Sequence, residues 1–183
     1  LQPNTHTAPS HLAALPRRLL ASLAWLGVCS GSAWAQELVV DGVRYEATAS
    51  VGSSPVVLNG AGTRFKAVFK VYTAGLYLSR KAASTAEVQA APGPKRLTLT
   101  FVREIGSEEL GRLFIKGIKS NTPNEEYTRI VGSVMRMSQV FYEARRMKVG
   151  EVINMDWVPG KGTVISIRDV PVGDPFPEPE FYS

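Results

Sequence analysis

The chain has 183 residues, 44% of them apolar, and carries 21 lysines and arginines against 16 aspartates and glutamates, a net charge of +5. The basic residues are spread along the chain without a dense run, so a nucleic-acid partner is not expected. Both histidines (His6 and His11) and the only cysteine (Cys29) lie in the first 35 residues. A site formed by the remaining residues must therefore work without imidazole or thiol groups.

The segment that contains these three residues has the pattern of an export signal. Arg17 and Arg18 form a basic start, residues 19–28 form an apolar stretch, and Ala33-Trp34-Ala35 is the small-x-small pattern that signal peptidase cuts. The apolar stretch is shorter than the about 20 residues needed to span a bilayer. We expect residues 1–35 to be a signal peptide cleaved after Ala35, leaving a periplasmic or secreted domain over 36–183 with a net charge of +3.

Two other kinds of export signal fit the same segment less well. A lipoprotein signal needs a small residue before its cysteine, and Val28 stands before Cys29. A twin-arginine signal needs a further pattern after its arginine pair, which is absent after Arg17 and Arg18. General secretion is therefore favoured.

The composition of the domain over 36–183 excludes several kinds of catalytic site. Without histidine and cysteine it cannot form a Ser-His-Asp triad, a Cys-His pair or a zinc site with the usual ligands. No glycine-rich segment has the strand–helix context and lysine of a phosphate-binding loop. We expect no metal and no cofactor, which leaves arginine, lysine, tyrosine and carboxylates as the chemical groups.

The first part of the domain predicts short strands and then one long strand. Residues 38–40 and 43–49 favour strands around the turn Asp41-Gly42, and residues 52–62 are loop-rich. Residues 65–78 alternate between apolar and polar side chains, which predicts one strand, with a bulge or bend at Gly75 where the apolar positions change parity.

The second part predicts helices and a further strand. Ser84 and Glu87 form a capping box that opens a short helix, and residues 96–104 alternate as a strand. A helix capped by Ser107 should end at Asn121, and a second, starting at Pro123, should run to about Arg146. Both helices carry apolar stripes at helical spacing.

The last part predicts a hairpin and an irregular tail. Residues 151–158 and 163–168 form a hairpin, and four prolines between 171 and 180 argue against any regular continuation. Strands, two helices and a hairpin together predict a single α+β domain, with the helices packed on one face of an antiparallel sheet.

Several motifs point to a known family. Gly60-Ala61-Gly62-Thr63-Arg64 has the pattern of a G-x-G-x-R turn, and residues 70–78 read Lys-Val-Tyr-x-x-Gly-Leu-Tyr-Leu. With the strand RLTLTFVREI and the hairpin at 155–163, these segments resemble the chalcone isomerase superfamily, in particular its bacterial exported branch, over most of 38–170. The resemblance implies an open-faced β-sandwich, in which a large antiparallel sheet is covered by helices and a ligand cleft lies between them.

The resemblance also implies roles for individual residues. Arg64 matches the arginine that stabilises the phenolate and developing enolate in plant chalcone isomerases, whereas Tyr72 stands at their catalytic threonine and Leu110 at their cleft tyrosine. These departures from the catalytic set argue against isomerisation, and the pairing of Arg64 with Tyr72 resembles the fatty-acid-binding relatives, in which the arginine holds a carboxylate. We therefore expect Arg64 and Tyr72 to bind a small-molecule or lipid ligand, an amphipathic acid, with transient membrane contact and without catalysis.

Alternatives remain at this level. The chain could be an isomerase of the intramolecular lyase type acting on a chalcone-like phenolic enone, or an envelope interaction module without a small ligand. Arg64 could instead satisfy turn carbonyls, and the Tyr72 hydroxyl could lie in water. Relatives of the exported branch continue with a Trp-Leu-Gly segment, so we expect a domain truncated after Ser183.

The predicted single strand creates a geometric difficulty for the site. Arg64 and Tyr72 would lie on one face but roughly 26 Å apart at about 3.3 Å per residue. They can share a ligand only if the segment at 60–64 is a turn that folds back, which Gly60 and Gly62 permit.

Overall fold

The computed structural model describes residues 37–182. In chain order its strands are β1 (Leu38–Val40), β2 (Val43–Tyr45), β3 (Thr48–Val51), β4 (Ser54–Lys66), β5 (Phe69–Leu78), β6 (Lys95–Phe101), β7 (Ile105–Gly106), β8 (Arg146–Met147), β9 (Val152–Val158), β10 (Gly162–Ile167) and β11 (Val170–Pro171). The helices are α1 (Thr85–Ala90), α2 (Ser107–Asn121) and α3 (Asn124–Ala144), and a short 3-10 helix covers Pro179–Phe181. No helix in this described range has both the length and the hydropathy needed to cross a bilayer.

A seven-stranded antiparallel sheet organises the domain, with the spatial order β11-β10-β9-β6-β5-β4-β3. The helices α2 and α3 cover one face of this sheet. Their apolar stripes meet the sheet in the main core, which includes these fully buried residues: Val71, Phe101, Ile130, Val134, Met137, Ile153 and Ile165. The predicted α+β fold, an antiparallel sheet covered by helices, is confirmed.

The opposite face carries a smaller apolar cluster under the β1–β2 hairpin. Tyr45 and Tyr77 are its largest members, and the Tyr45 hydroxyl shares a 2.7 Å hydrogen bond with the buried hydroxyl of Thr73. A Cβ at Gly75 would lie 2.5 Å from Cδ1 of Tyr45, so the ring packs directly on the glycine backbone. Gly75 pairs regularly with Ala61 and Thr98. The predicted bulge or bend at Gly75 is wrong in position, because the register of β4 and β5 shifts between Leu58 and Gly60 on the partner strand.

The largest departure from the predicted elements lies at β4 and β5. Residues 54–66 form a strand where a loop was predicted for 52–62, and the predicted single strand over 65–78 is interrupted by a two-residue turn at Ala67-Val68. The turn was missed because it contains none of the residues that usually mark hairpins; Ala67 adopts a φ of 53°, a conformation that favours glycine, asparagine or aspartate.

The proline-rich tail is the second departure, because it is part of the core. Val170 and Pro171 pair with β10 at the edge of the sheet, where the missing N–H of a proline is tolerated. Phe176 exchanges two backbone hydrogen bonds with Thr163, and the rings of Phe176 and Phe181 are buried and stacked at 4.4 Å. At Gly162, with a φ of 101°, a Cβ would lie 2.2 Å from the Phe176 carbonyl oxygen, so this close approach requires glycine.

The predicted strand over 43–49 is wrong, because two strands, β2 and β3, occupy this segment and pair with β1 and β4 in different sheets. The other elements agree with the predictions apart from their ends. Glu87 donates its backbone N–H to the Ser84 hydroxyl at 3.2 Å, which confirms the cap of α1. Ser107 is the first residue of α2 and does not cap it, since Gly106 occupies that position. Pro123 precedes α3, which ends at Ala144, two residues before the predicted end.

Candidate functional site

A cleft of about 410 Å³ lies between the sheet and α2, within the size range of small-ligand sites. Its walls are mostly apolar. The sheet contributes Leu76, Leu97, Leu99 and Met155, α2 contributes Leu110, Leu113, Phe114 and Ile118, and α3 and the tail contribute Phe141 and Phe181. An apolar chain along α2 would therefore contact apolar side chains of both the sheet and the helix.

Arg64 and Tyr72 lie side by side at one end of this cleft. Arg64 of β4 pairs directly with Tyr72 of β5, and both line the cleft. Directly opposite residues in antiparallel strands have Cβ atoms about 4.5–5.5 Å apart and face the same side. The expected separation of roughly 26 Å is therefore wrong, as is the turn at 60–64, because the true turn lies beyond Arg64 and folds β5 back along β4.

The two side chains differ in burial and charge state. Arg64 is exposed at the rim, whereas Tyr72 is half-buried with its ring edge against Phe101, 5.8 Å between centroids. Burial raises the pKa of the Tyr72 hydroxyl, and the Arg64 charge opposes this shift by lowering it. At neutral pH the pair therefore presents one cation and one protonated hydroxyl donor.

Arg64 is also free to bind a ligand. Across residues 37–182 its side chain has neither an ion pair nor a hydrogen bond. The neighbouring lysines are engaged, since Lys66 pairs with Glu109 at 2.6 Å and Lys70 pairs with Asp41. Both lysine side chains are exposed.

The other end of the cleft is polar as well. Lys95 lines it together with Gln89, Asn121 and Thr122, and the Lys95 ammonium donates to the Gln89 carbonyl at 2.9 Å. Burial lowers the pKa of Lys95. Lys95 pairs with Leu78, six residues along β5 from Tyr72, so the ends are about 20 Å apart at about 3.3 Å per residue.

The tail closes part of the cleft, which the sequence interpretation missed. Phe181 and Tyr182 line the cleft, and the Tyr182 hydroxyl donates to the Met155 carbonyl at 3.3 Å. Burial raises the pKa of the Tyr182 hydroxyl, so this group remains a neutral donor. The sequence signal that could have identified these residues is the presence of aromatic side chains, Phe176, Phe181 and Tyr182, within the proline-rich segment.

Other features of the described residues give no comparable site. A second cavity of about 560 Å³ near the start of β4 is lined by Leu38, Val57, Leu58 and polar groups, including Glu37 and Lys81, and it contains neither Arg64 nor Tyr72. Tyr77 lies in the core of the opposite face. Within residues 37–182 no group of three histidine, cysteine or acidic residues is arranged to hold a metal ion.

Comparison with known proteins agrees with this architecture. The family model described as chalcone isomerase-like matches residues 37–183. A solved structure of a fatty-acid binding protein from Arabidopsis thaliana superposes with a TM-score of 0.62 at 16% identity, covering 79% of this chain and 84% of that chain. No curated protein matches the sequence. At this identity the structural likeness shows a shared fold, and the family match, which spans most of the chain, shows that the chain belongs to the chalcone isomerase-like family.

Proposed function

We propose that this chain is an exported, non-catalytic protein that binds an amphipathic acid, such as a fatty acid, in the cleft along α2. The observation that carries the proposal is the guanidinium of Arg64, which has no partner among residues 37–182 and lies beside the Tyr72 hydroxyl at one end of an apolar cleft. The structural likeness to a plant fatty-acid binding protein supports the same ligand class. Membership of the bacterial exported branch is part of the proposal and rests on the signal pattern at 16–35.

The ligand's head group lies at Arg64. A carboxylate accepts two hydrogen bonds from a guanidinium in a planar fork, and such charge-assisted bonds are about twice as strong as neutral ones. The Tyr72 hydroxyl donates a third bond from inside the cleft. Lys70 does not compete for the head group, because it lies on the other face of the hairpin, paired with Asp41.

The acyl chain lies between the sheet and α2. Each buried methylene contributes about 0.8 kcal/mol, so the apolar walls supply most of the affinity. An extended chain advances about 1.25 Å per carbon, given C–C bonds near 1.52 Å and angles near 111°. A cleft about 20 Å long therefore holds roughly 16 carbons before the chain reaches Lys95.

The lining of the same cleft bears on the alternative isomerase function. Its lining among the described residues includes no carboxylate or imidazole that could accept a proton, and burial keeps the Tyr72 hydroxyl protonated. When the absorbance of a hydroxychalcone is monitored with the protein present, we expect ring closure to proceed at the uncatalysed rate. Closure that is faster than this background and is lost in Arg64→Gln would support the isomerase instead.

The binding proposal is tested with Arg64→Gln and a matched control. The control is Arg80→Gln, since Arg80 is also exposed and unpaired among the described residues but lies outside the cleft. Palmitate affinity, measured by calorimetry, should fall about tenfold or more in Arg64→Gln, because bonds to charged groups contribute about 1.5–3 kcal/mol. Arg80→Gln should bind palmitate like the wild type.

A neutral ligand of equal length isolates the head group. Wild-type protein should bind palmitate more tightly than hexadecanol, and the difference should disappear in Arg64→Gln. Equal affinity of the wild type for acid and alcohol, or unchanged palmitate binding in Arg64→Gln, would contradict the proposed role of Arg64.

A further inference from the structure

The β4–β5 hairpin ends in an exposed apolar tip, defined here as residues 65–70. Phe65, Val68 and Phe69 are 50%, 82% and 61% exposed, values that are unusual for three large apolar side chains within five residues. The turn itself is Ala67-Val68, although hairpin turns normally carry glycine, asparagine or aspartate. The hairpin tip thus exposes apolar groups where polar residues would be easier to accommodate.

The apolar side chains surround the end of the hairpin. Phe65 pairs with Lys70 and Lys66 pairs with Phe69, so each lysine lies beside a phenylalanine. Lys66 contacts Glu109 of α2 on one side, whereas Lys70 contacts Asp41 of the β1–β2 turn on the other. The phenylalanines therefore lie on opposite faces with Val68 at the end, a shape suited to insertion end-on and poorly suited to packing against a flat partner.

Basic residues encircle the base of the hairpin tip. They are Arg64, Lys66, Lys70, Arg103 and Arg112, against the carboxylates of Asp41, Glu108 and Glu109. The Arg103 guanidinium lies 5.6 Å from the centre of the Phe69 ring. Three of the cations, Lys66, Arg103 and Arg112, act on Glu109 and lower its pKa. The surface around the apolar end is therefore net positive.

We propose that the hairpin tip docks on the surface of an anionic phospholipid bilayer. Phe65, Val68 and Phe69 enter the boundary between head groups and acyl chains, and the surrounding cations contact lipid phosphates. Apolar side chains combined with lysine and arginine are the pattern of interfacial membrane binding, which typically reaches about 5–10 Å deep. A protein partner would need an apolar cavity lined with acidic groups, and the end-on shape favours the bilayer.

Docking in this orientation places the cleft near the lipid. Arg64 lies two residues from the end of β4, about 7 Å along the strand from the turn, which is close to the level of the head groups. The mouth of the cleft then opens toward the bilayer. The docking proposal nevertheless rests on the hairpin tip alone and does not depend on which ligand binds in the cleft.

The test compares vesicle binding of wild-type protein, Val68→Ser/Phe69→Ser and the control Val149→Ser/Val170→Ser. The control residues are similarly exposed apolar side chains outside the tip, 67% and 62% exposed. Sedimentation with vesicles of phosphatidylcholine and phosphatidylglycerol should show wild-type and control protein bound alike. The tip variant should bind at least roughly tenfold more weakly, since it loses two side chains that insert. Binding should weaken with salt and be lost on pure phosphatidylcholine.

Two further measurements distinguish insertion of the tip from capture of a protein and from binding in the cleft. Val68→Trp should show a blue-shifted tryptophan emission on anionic vesicles, whereas the wild type, in which Trp157 is the tryptophan of the described range, should not. Palmitate affinity should be the same in wild-type and Val68→Ser/Phe69→Ser protein, so failure of docking and failure of fatty-acid binding are distinguishable. Equal vesicle binding by the tip variant, an unshifted Val68→Trp spectrum, or capture of a protein partner that requires the tip without any vesicle binding would overturn the proposal.

Discussion

At the scale of single residues, the candidate site depends on a contrast between Arg64 and its basic neighbours. Lys66 and Lys70 lie within six residues of Arg64, yet each has a carboxylate partner. Arg64 has none among the described residues and faces a half-buried tyrosine, not an acid. A guanidinium with unused donors beside a neutral hydroxyl is complementary to an external carboxylate. Amino-acid composition alone does not reveal this arrangement.

Removing the Tyr72 hydroxyl should weaken binding without altering the shape of the cleft. In Tyr72→Phe the ring keeps its contact with Phe101, but the bound carboxylate loses a neutral donor. We expect palmitate affinity to fall about three- to tenfold, measured by calorimetry. Tyr142→Phe, which alters an exposed tyrosine on α3, should bind normally.

The pH dependence of binding provides a separate check on Tyr72. Burial raises its pKa above the ordinary value of 10, so the neutral donor form persists to higher pH than that of an exposed tyrosine. Wild-type affinity should therefore be constant between about pH 7 and 9. A loss of affinity in that range that is absent from Tyr72→Phe would show that the hydroxyl ionises and would contradict this assignment.

At the scale of elements, the β4–β5 hairpin explains why the residues of the site were predicted correctly but their relative positions were not. The motif identified Arg64 and Tyr72, but the alternation of Phe65, Phe69 and Val71 continued through Ala67-Val68 without any turn residue. The pattern therefore predicted one strand. The turn is set by the sheet, since pairing of β4 with β5 along nine residue pairs outweighs the cost of a positive φ at Ala67, about 1–2 kcal/mol.

The tail shows a similar limit of sequence reasoning. Prolines at 171, 175, 177 and 179 predicted no regular continuation, although Pro171 lies in the edge strand β11 and Pro179 begins a short 3-10 helix. The prolines said nothing about burial, which Phe176 achieves through two backbone hydrogen bonds with Thr163 and through stacking of its ring on Phe181. Local propensity predicts regular elements, whereas the packing of an irregular segment depends on surfaces that other elements supply.

Phe176→Ala tests whether the tail is part of the core. The side chain is 1% exposed, stacks on Phe181, and lies under the Arg136 guanidinium at 4.3 Å. Its truncation should lower the free energy of unfolding by about 3–5 kcal/mol, measured by urea denaturation. Val170→Ala, on the exposed edge of the same segment, should change it by less than about 0.5 kcal/mol. Similar stability of both variants would mean that the tail is not docked in solution.

At the scale of the whole molecule, the two faces of the sheet are covered by different structures. One face holds α2, α3 and the cleft, whereas the other holds the small Tyr45 cluster and polar pairs such as Arg96 with Asp156 at 2.6 Å. The order of predicted elements was sufficient for the α+β class, because two consecutive amphipathic helices between strands can bury their stripes only on one sheet face. The order of elements could not predict the cleft, since the cleft forms where the apolar stripe of α2 and the sheet do not pack fully against each other.

The proposed export of the chain concerns residues 1–35, which lie outside the described range, and rests on sequence alone. When the full sequence is expressed in a Gram-negative host, the periplasmic fraction should contain a protein that begins at Gln36, as measured by intact mass. Ala35→Asp should block cleavage because signal peptidase requires a small residue there, whereas Ser30→Thr should not. A lipid-modified product beginning at Cys29 would support the lipoprotein alternative, and an uncleaved cytoplasmic product would contradict export altogether. Cleavage after Ala35 would leave a mature protein without histidine or cysteine, which agrees with a binding site that depends on an arginine and a tyrosine, Arg64 and Tyr72.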